Sequence, residues 1–321
     1  MSRVVPPQRM VGRGTGQAAT PTVLPHHLGT RLKGRYELIQ VIGRGGMSTV
    51  YHAVDHIRLR GRAAQPHVAV KVASMPAPYA HAAHELIHRE AQRMQGLVHP
   101  NIVRVFDSDH QDDTHFMVME LLTGRTLATV LPEGTGKGLD WPQARRVITG
   151  VAAALAHAHG AGVIHTDLKP GNVFISGDGT VKVLDFGLAQ RTGGAEDAHQ
   201  EDATIRYLDL VGGLTPSFAS PERLAGADPT PGCDLFAFGL LIYVVLCGAH
   251  PFQRRTSQEA QRMGLQPLRP QGLAPHRWRA LKALMAFDPA ARPASVDAFM
   301  AGFLGPRFGP RALLNVLRMG A

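Results

Sequence analysis

Apolar positions change period about a third of the way along this chain of 321 residues. Up to residue 121 the apolar runs are short: Tyr36 to Ile42, a second run closing at Val54, Val68-Ala69-Val70-Lys71-Val72, Ile102 to Phe106, and His115 to Leu121. Runs of this length bounded by glycines and polar turns, here including Asp107 to Asp113, read as strands. One stretch among them has a helical period. Around Glu90, the residues Leu86, Ile87, Met94 and Leu97 stand at offsets of minus four, minus three, plus four and plus seven, so Glu90 belongs to the apolar, sheet-facing side of that helix. The pattern predicts a five-stranded antiparallel sheet with one helix. Lys71 interrupts a strand that otherwise wants burial and therefore needs a partner. The connector carrying Arg58, Arg60 and Arg62 reads as a solvated loop.

Beyond residue 122 the pattern is mainly helical. Asp140-Trp141-Pro142-Gln143 combines an Asp cap, an early proline and a glutamine three residues on, and starts a helix running to about His159. Asp234 opens a second helix, whose apolar run from Leu235 to Gly248 predicts burial. Between the two lies one hairpin: Val173 to Ile175 and Val181 to Leu184 flank Gly177, Asp178 and Gly179, which supply the positive backbone angles of a tight turn. The fold class is α+β.

That hairpin concentrates the candidate chemistry. Closing it brings Asn172, just before one strand, beside Asp185, just after the other, and such hard oxygen ligands suit Mg²⁺ sharing its shell with substrate phosphates. Asp167 is a nearby carboxylate able to orient a hydroxyl or accept its proton. Lys169 supplies positive charge where a transferring phosphoryl group needs it. Near the start, Gly43-Arg44-Gly45-Gly46-Met47-Ser48-Thr49-Val50 joins two strands as a flap whose backbone N–H groups can cover phosphates.

In their order and spacing these motifs resemble the Hanks-type, eukaryotic-like serine/threonine protein kinases, in a bacterial-like form. The resemblance covers residues 35 to about 303 and implies a bilobal kinase fold with an N-lobe over 33–122 and a C-lobe over 123–305; residues 1–32, rich in Gly, Pro, Thr and Arg without periodicity, read from composition as a disordered basic leader, and 306–321 as a basic extension. It implies transfer of the ATP γ-phosphoryl group to Ser/Thr hydroxyls of proteins, including the chain itself, in signalling, with Mg²⁺ as the ion and Mn²⁺ as an alternative. Lys71 would contact phosphates and pair with Glu90. Ile42, Gly43, Arg44, Gly45, Gly46, Met47, Ser48 and Val50 would cover the nucleotide. Ala69, the gatekeeper Met119, and the hinge from Glu120 to Leu122 would surround adenine. Asp167, Lys169 and Thr215 would serve catalysis and the peptide site, while Asn172 and Asp185 hold the metal. Residues 188–215, with Thr192, Thr204 and Tyr207, correspond to the activation segment, which Ser220-Pro221-Glu222 closes. Asp234 would brace the catalytic loop and Arg292 pair with Glu222. A cognate phosphatase or regulatory partner is also implied.

Two positions depart from the family pattern. Ser48 replaces a glycine of the flap. Thr166 replaces the arginine before the catalytic aspartate, which commonly pairs with an activation-segment phosphate; threonine cannot supply that charge.

Composition narrows the alternatives. A net charge of +9 would fit a nucleic-acid binder, but residues 1–35 hold six Arg or Lys with no acid, and Arg307, Arg311 and Arg318 follow the last acid. The excess therefore belongs to the tails and the body is neutral, which argues against nucleic acid as partner. The longest apolar run, of fourteen residues, falls short of the roughly 18 needed to span a membrane, and no secretory signal is recognisable; a cytoplasmic protein is expected. Cys233 and Cys247 on one helix would stand about 21 Å apart, too far for a disulfide. His84-Glu85-Leu86-Ile87-His88 fits the H-E-x-x-H zinc pattern, yet both histidines lie on a face turned away from Glu90 and read as surface residues. A pseudokinase would leave catalytic positions empty, and all six are filled. A small-molecule phosphotransferase would have no use for a peptide-site threonine or a Ser-Pro-Glu segment.

Overall fold

The computed structural model describes residues 26–45, 48–73, 80–131, 134, 136–186, 190–191 and 215–305, with backbone alone for 80–86 and 190–191. The leader up to residue 25, Gly46, Met47, Thr192, Thr204, Tyr207 and the extension 306–321 lie outside the described residues.

The first lobe is an antiparallel sheet of β1 (Arg31–Leu32), β2 (Tyr36–Arg44), β3 (Ser48–Asp55), β4 (His67–Ala73), β5 (Val105–Gln111) and β6 (Thr114–Glu120), in the order β1-β2-β3-β4-β6-β5. Alternation gives the sheet two unlike faces. Tyr36, Leu38, Tyr51, Ala53, Val68, Val70, Val72, Phe116 and Val118 form a closed apolar cluster on one. Ala69, Lys71, Met117 and Met119 face the other way, toward the cleft. The five expected strands all form, and β1 is a sixth. Residues 26–32, which composition assigned to the leader, are already tied to the lobe: Gly29 N donates to Leu38 O and Leu38 N to Thr30 O.

Two expectations need correction. The polar stretch expected as a turn is mostly strand, because β5 lies at the sheet edge, where polar side chains meet water rather than a second layer. The turn shrinks to the residues between β5 and β6, with Asp112 at φ 51°. The arginine connector likewise opens with a helix, α1 (His56–Arg60), rather than a loop. Buried Asp55 caps it, accepting from Ile57 N at 3.0 Å and Arg58 N at 3.3 Å while both its oxygens hold the Arg35 guanidinium. The Arg58 guanidinium lies 4.1 Å from the Phe106 ring centroid.

Helix α2 (Ala80–Gln95) packs on the cleft side of the sheet, burying Ile87, Glu90, Ala91 and Met94. The second lobe continues with β7 (Gly124–Thr126), α3 (Leu127–Val130) and α4 (Trp141–Gly160), the last capped by Asp140 Oδ1 accepting from Gln143 N. After β8 (Val163–Ile164) come the hairpin strands β9 (Val173–Ser176) and β10 (Val181–Val183), then β11 (Gln190–Arg191), which pairs with β8. Helices α5 (Pro221–Leu224), α6 (Pro231–Cys247), α7 (Ser257–Arg262), α8 (Pro275–Leu284) and α9 (Val296–Leu304) complete it. Helix α6 is buried on all sides from Cys233 to Val245, as its apolar run requires. It stops at Gly248, whose φ of 66° suits glycine and where a Cβ would meet Lys137 O at 2.5 Å. Both cysteines are free. No helix among the described residues is long and apolar enough to cross a membrane.

Candidate active site

The lobes meet at a cleft of about 510 Å³. Strands β2 and β3 and the turn between them supply Ile42, Gly43, Arg44, Gly45, Ser48 and Val50; the sheet and crossing segment supply Ala69, Lys71, Met119, Glu120 and Leu122; the second lobe supplies Lys169, Asn172 and Asp185. Gly45 N donates to Ser48 O at 2.8 Å, closing the flap. Phe174 and Thr126 also line the cleft and were missed by the sequence reading. Alternation along the hairpin strand, which turns Phe174 away from buried Val173, could have found the first; nothing local marks Thr126.

Lys71 Nζ lies 2.8 Å from both carboxylate oxygens of Glu90 and 3.0 Å from Asp185 Oδ1. The partner demanded by a lysine in an apolar strand is therefore present twice. Burial disfavours the Lys71 ammonium, but the Asp185 and Glu90 carboxylates outweigh it and raise its pKa. Burial, helped by Asp185 and opposed by Lys71, pushes Glu90 up to about 7. At Asp185 burial also acts upward, yet Lys71 more than offsets it and holds the carboxyl below its ordinary range. Two carboxylates thus share one ammonium, an arrangement that a further cation would relieve.

The second half of the site is built on the loop before the hairpin. Asp167 Oδ2 lies 2.6 Å from Lys169 Nζ, which also donates to Thr215 Oγ1 at 2.7 Å. Thr215 N donates to Asp167 Oδ1 at 3.3 Å. Asn172 Nδ2 donates to Asp167 O at 2.9 Å and to Oδ2 at 3.2 Å, which leaves the amide Oδ1 as the atom to ligate a metal. Leu184 N donates to Asn172 O at 2.8 Å, so the hairpin does bring Asn172 alongside the segment carrying Asp185. From below, Asp234 accepts His165 N and Thr166 N, each at 2.8 Å, on its two oxygens, and pairs with His159 Nε2 at 2.7 Å. Glu222 holds the Arg292 guanidinium through two bonds of 2.6 and 2.9 Å.

These residues fit a magnesium–nucleotide complex. Asn172 and Asp185 offer hard oxygens, and no group of three or more His, Cys, Asp or Glu that could hold a metal occurs among the described residues. A sparse protein shell completed by water and phosphate oxygens is how Mg²⁺ usually binds. The zinc pattern finds no support: His88 is exposed and bonds Gln92 at 2.8 Å, while the His84 side chain lies outside the described residues.

A strand-rich lobe over a helical one, with a lysine–glutamate pair above an Asp-Lys-Asn loop, defines a phosphotransferase of the kinase fold. The protein kinase domain family matches residues 36–301, and the chain belongs to that family. It is 32% identical over 252 residues to the serine/threonine-protein kinase PrkC of Bacillus subtilis, covering 78% of this chain and 36% of that protein. It is 32% identical over 295 residues to the serine/threonine-protein kinase PknA of Mycobacterium tuberculosis, covering 88% and 64%. The chain thus spans about a third to under two thirds of these relatives' length. A mutant PknI kinase domain from M. tuberculosis is similar in structure, with a TM-score of 0.64 at 25% identity over 88% of this chain and 98% of that one. The apo form of PpkA-294 shares the fold at a TM-score of 0.69 and 22% identity, covering 87% and 99%. The resemblance to bacterial Hanks-type serine/threonine kinases holds.

Proposed function

We propose that this chain transfers the γ-phosphoryl group of ATP to serine and threonine hydroxyls of proteins, itself included. The observation that carries this reading is the unbroken network from Lys71 on the sheet to Glu90 and Asp185, facing a second network of Asp167, Lys169, Thr215 and Asn172. In this reading Asp167 orients the substrate hydroxyl and accepts its proton as the oxygen attacks the γ-phosphorus. The bond to the β-phosphate oxygen breaks and ADP leaves. Lys169 and Lys71 stabilise the charge of the transferring group and of the phosphates, and Glu90 holds Lys71 in place. Bound at Asn172 and Asp185, Mg²⁺, or Mn²⁺ in its stead, would neutralise phosphate charge. The Glu120 carboxylate is engaged by Lys182 and by Arg104 N, so this residue would meet adenine through its backbone.

We assign nucleotide binding mainly to the lobe over 33–122 and protein-substrate binding to the lobe over 123–305. The reaction consumes ATP, and we accordingly assign it to the cytoplasm, with a phosphatase as the partner that reverses it. The test is transfer from ATP with Mg²⁺ to the chain itself and to a generic basic protein, with Lys71→Met as control. Phosphoserine or phosphothreonine formed only by the wild type supports the reading. Nucleotide binding without transfer would make the chain a pseudokinase.

A further inference from the structure

The cleft is lined by Glu120, the last residue of β6, and by Asn172 and Asp185, on either side of the β9–β10 hairpin. The chain crosses between lobes just after Glu120, and a second connection runs beside that crossing. Lys182, in the middle of β10, reaches Glu120 Oε1 at 2.7 Å and Ile102 O at 3.4 Å. The same carboxylate oxygen accepts Arg104 N at 2.7 Å. Backbone bonds reinforce the junction: Val103 N donates to Val183 O at 3.0 Å and Val183 N to Asn101 O at 2.8 Å.

The pair is not a loose surface contact. The Lys182 and Glu120 side chains are only 15% and 25% exposed, and an ion pair so sheltered is weakly screened by salt. The backbone bonds already hold β10 against residues 101–103, so the lobes would stay joined without Lys182. What the lysine adds is a fixed position for the Glu120 carboxylate, and hence for the backbone entering the crossing segment. Asp185 lies three residues beyond Lys182 on the same run, and Leu184 N binds Asn172 O.

We propose that Lys182 is a positioning residue for the nucleotide: acting through Glu120, it fixes the base end of the cleft relative to Asn172 and Asp185. The inference rests on reading the cleft as a magnesium–ATP site. Asp167, Lys169 and Thr215 belong to the separate network on the catalytic loop, so the protein substrate should not sense the loss of the pair.

The test measures Mg·ATP affinity by calorimetry, and KM for ATP and for a protein substrate, in wild type, Lys182→Met and Lys182→Arg, with melting of the nucleotide-free chain as the folding control. Lys182→Met should weaken Mg·ATP binding about tenfold, leave KM for the protein substrate unchanged, and be largely rescued in Lys182→Arg. If Lys182→Met does not fold, Glu120→Gln keeps an acceptor for Arg104 N while removing the charge, and should show the same weakening. Unchanged Mg·ATP affinity in the folded variant, with wild type binding and transferring normally, overturns the inference alone. Faster turnover at unchanged affinity also overturns it, since the pair would then restrain lobe motion. Wild type that binds no Mg·ATP overturns the kinase reading and this inference together.

Discussion

Thr166 stands where the resemblance places an arginine, with its backbone at φ 68°. A β-branched residue rarely adopts that left-handed conformation, and Asp234 holds it there by accepting the N–H groups of His165 and Thr166. The backbone of the loop is thus fixed from within the second lobe, while position 166 carries no charge to attract a phosphate. We therefore expect Thr192→Ala and Thr204→Ala to leave turnover largely intact, measured as steady-state transfer to a protein substrate. A collapse of turnover would show that phosphorylation of those residues is required. The cluster of Asp167, Lys169, Asn172 and Asp185 was legible in the sequence because the four lie within one short stretch, where spacing alone limits their arrangement. Thr126 and the Lys182–Glu120 pair were not, since their roles arise only when distant segments meet.

At the level of elements, apolar period exposed the central strands and α6, whose residues are buried by the pattern that predicts them. It failed where polar residues dominate. The strand Val105–Gln111 continues through Asp107, Ser108 and Asp109 because an edge needs no apolar face. Helix α1 depends on Asp55, whose main partner, Arg35, is 20 residues away. Asp55→Ala removes the cap and leaves the half-buried Arg35 without its carboxylate, and should cost about 2 kcal/mol of stability, within the range for losing a cap or a partly buried ion pair. Denaturant unfolding checks this; a loss below about 0.5 kcal/mol, typical of an ordinary surface substitution, would contradict it.

At the scale of the molecule, Glu222 and Arg292 join α5 to the region before α9. Burial opposes ionisation of Glu222, but Arg292 outweighs it and lowers the carboxyl from 4.5 to about 2. A carboxylate depressed in the folded state stabilises above its unfolded pKa, and that contribution is lost as pH falls from about 4.5 toward 2. The melting temperature of wild type should therefore exceed that of Glu222→Gln most clearly above pH 4.5, and the gap should narrow on acidification. A gap independent of pH would contradict the assignment.

In the proposed reaction Asp167 serves the transfer itself, while Mg·ATP is held by other residues. The most direct measurement compares Asp167→Asn with wild type in both Mg·ATP affinity and phosphoryl transfer to a protein hydroxyl. Asp167→Asn should show near-equal affinity and transfer reduced by about a hundredfold or more, the usual scale for losing a general base. Equal transfer by the two proteins would contradict it.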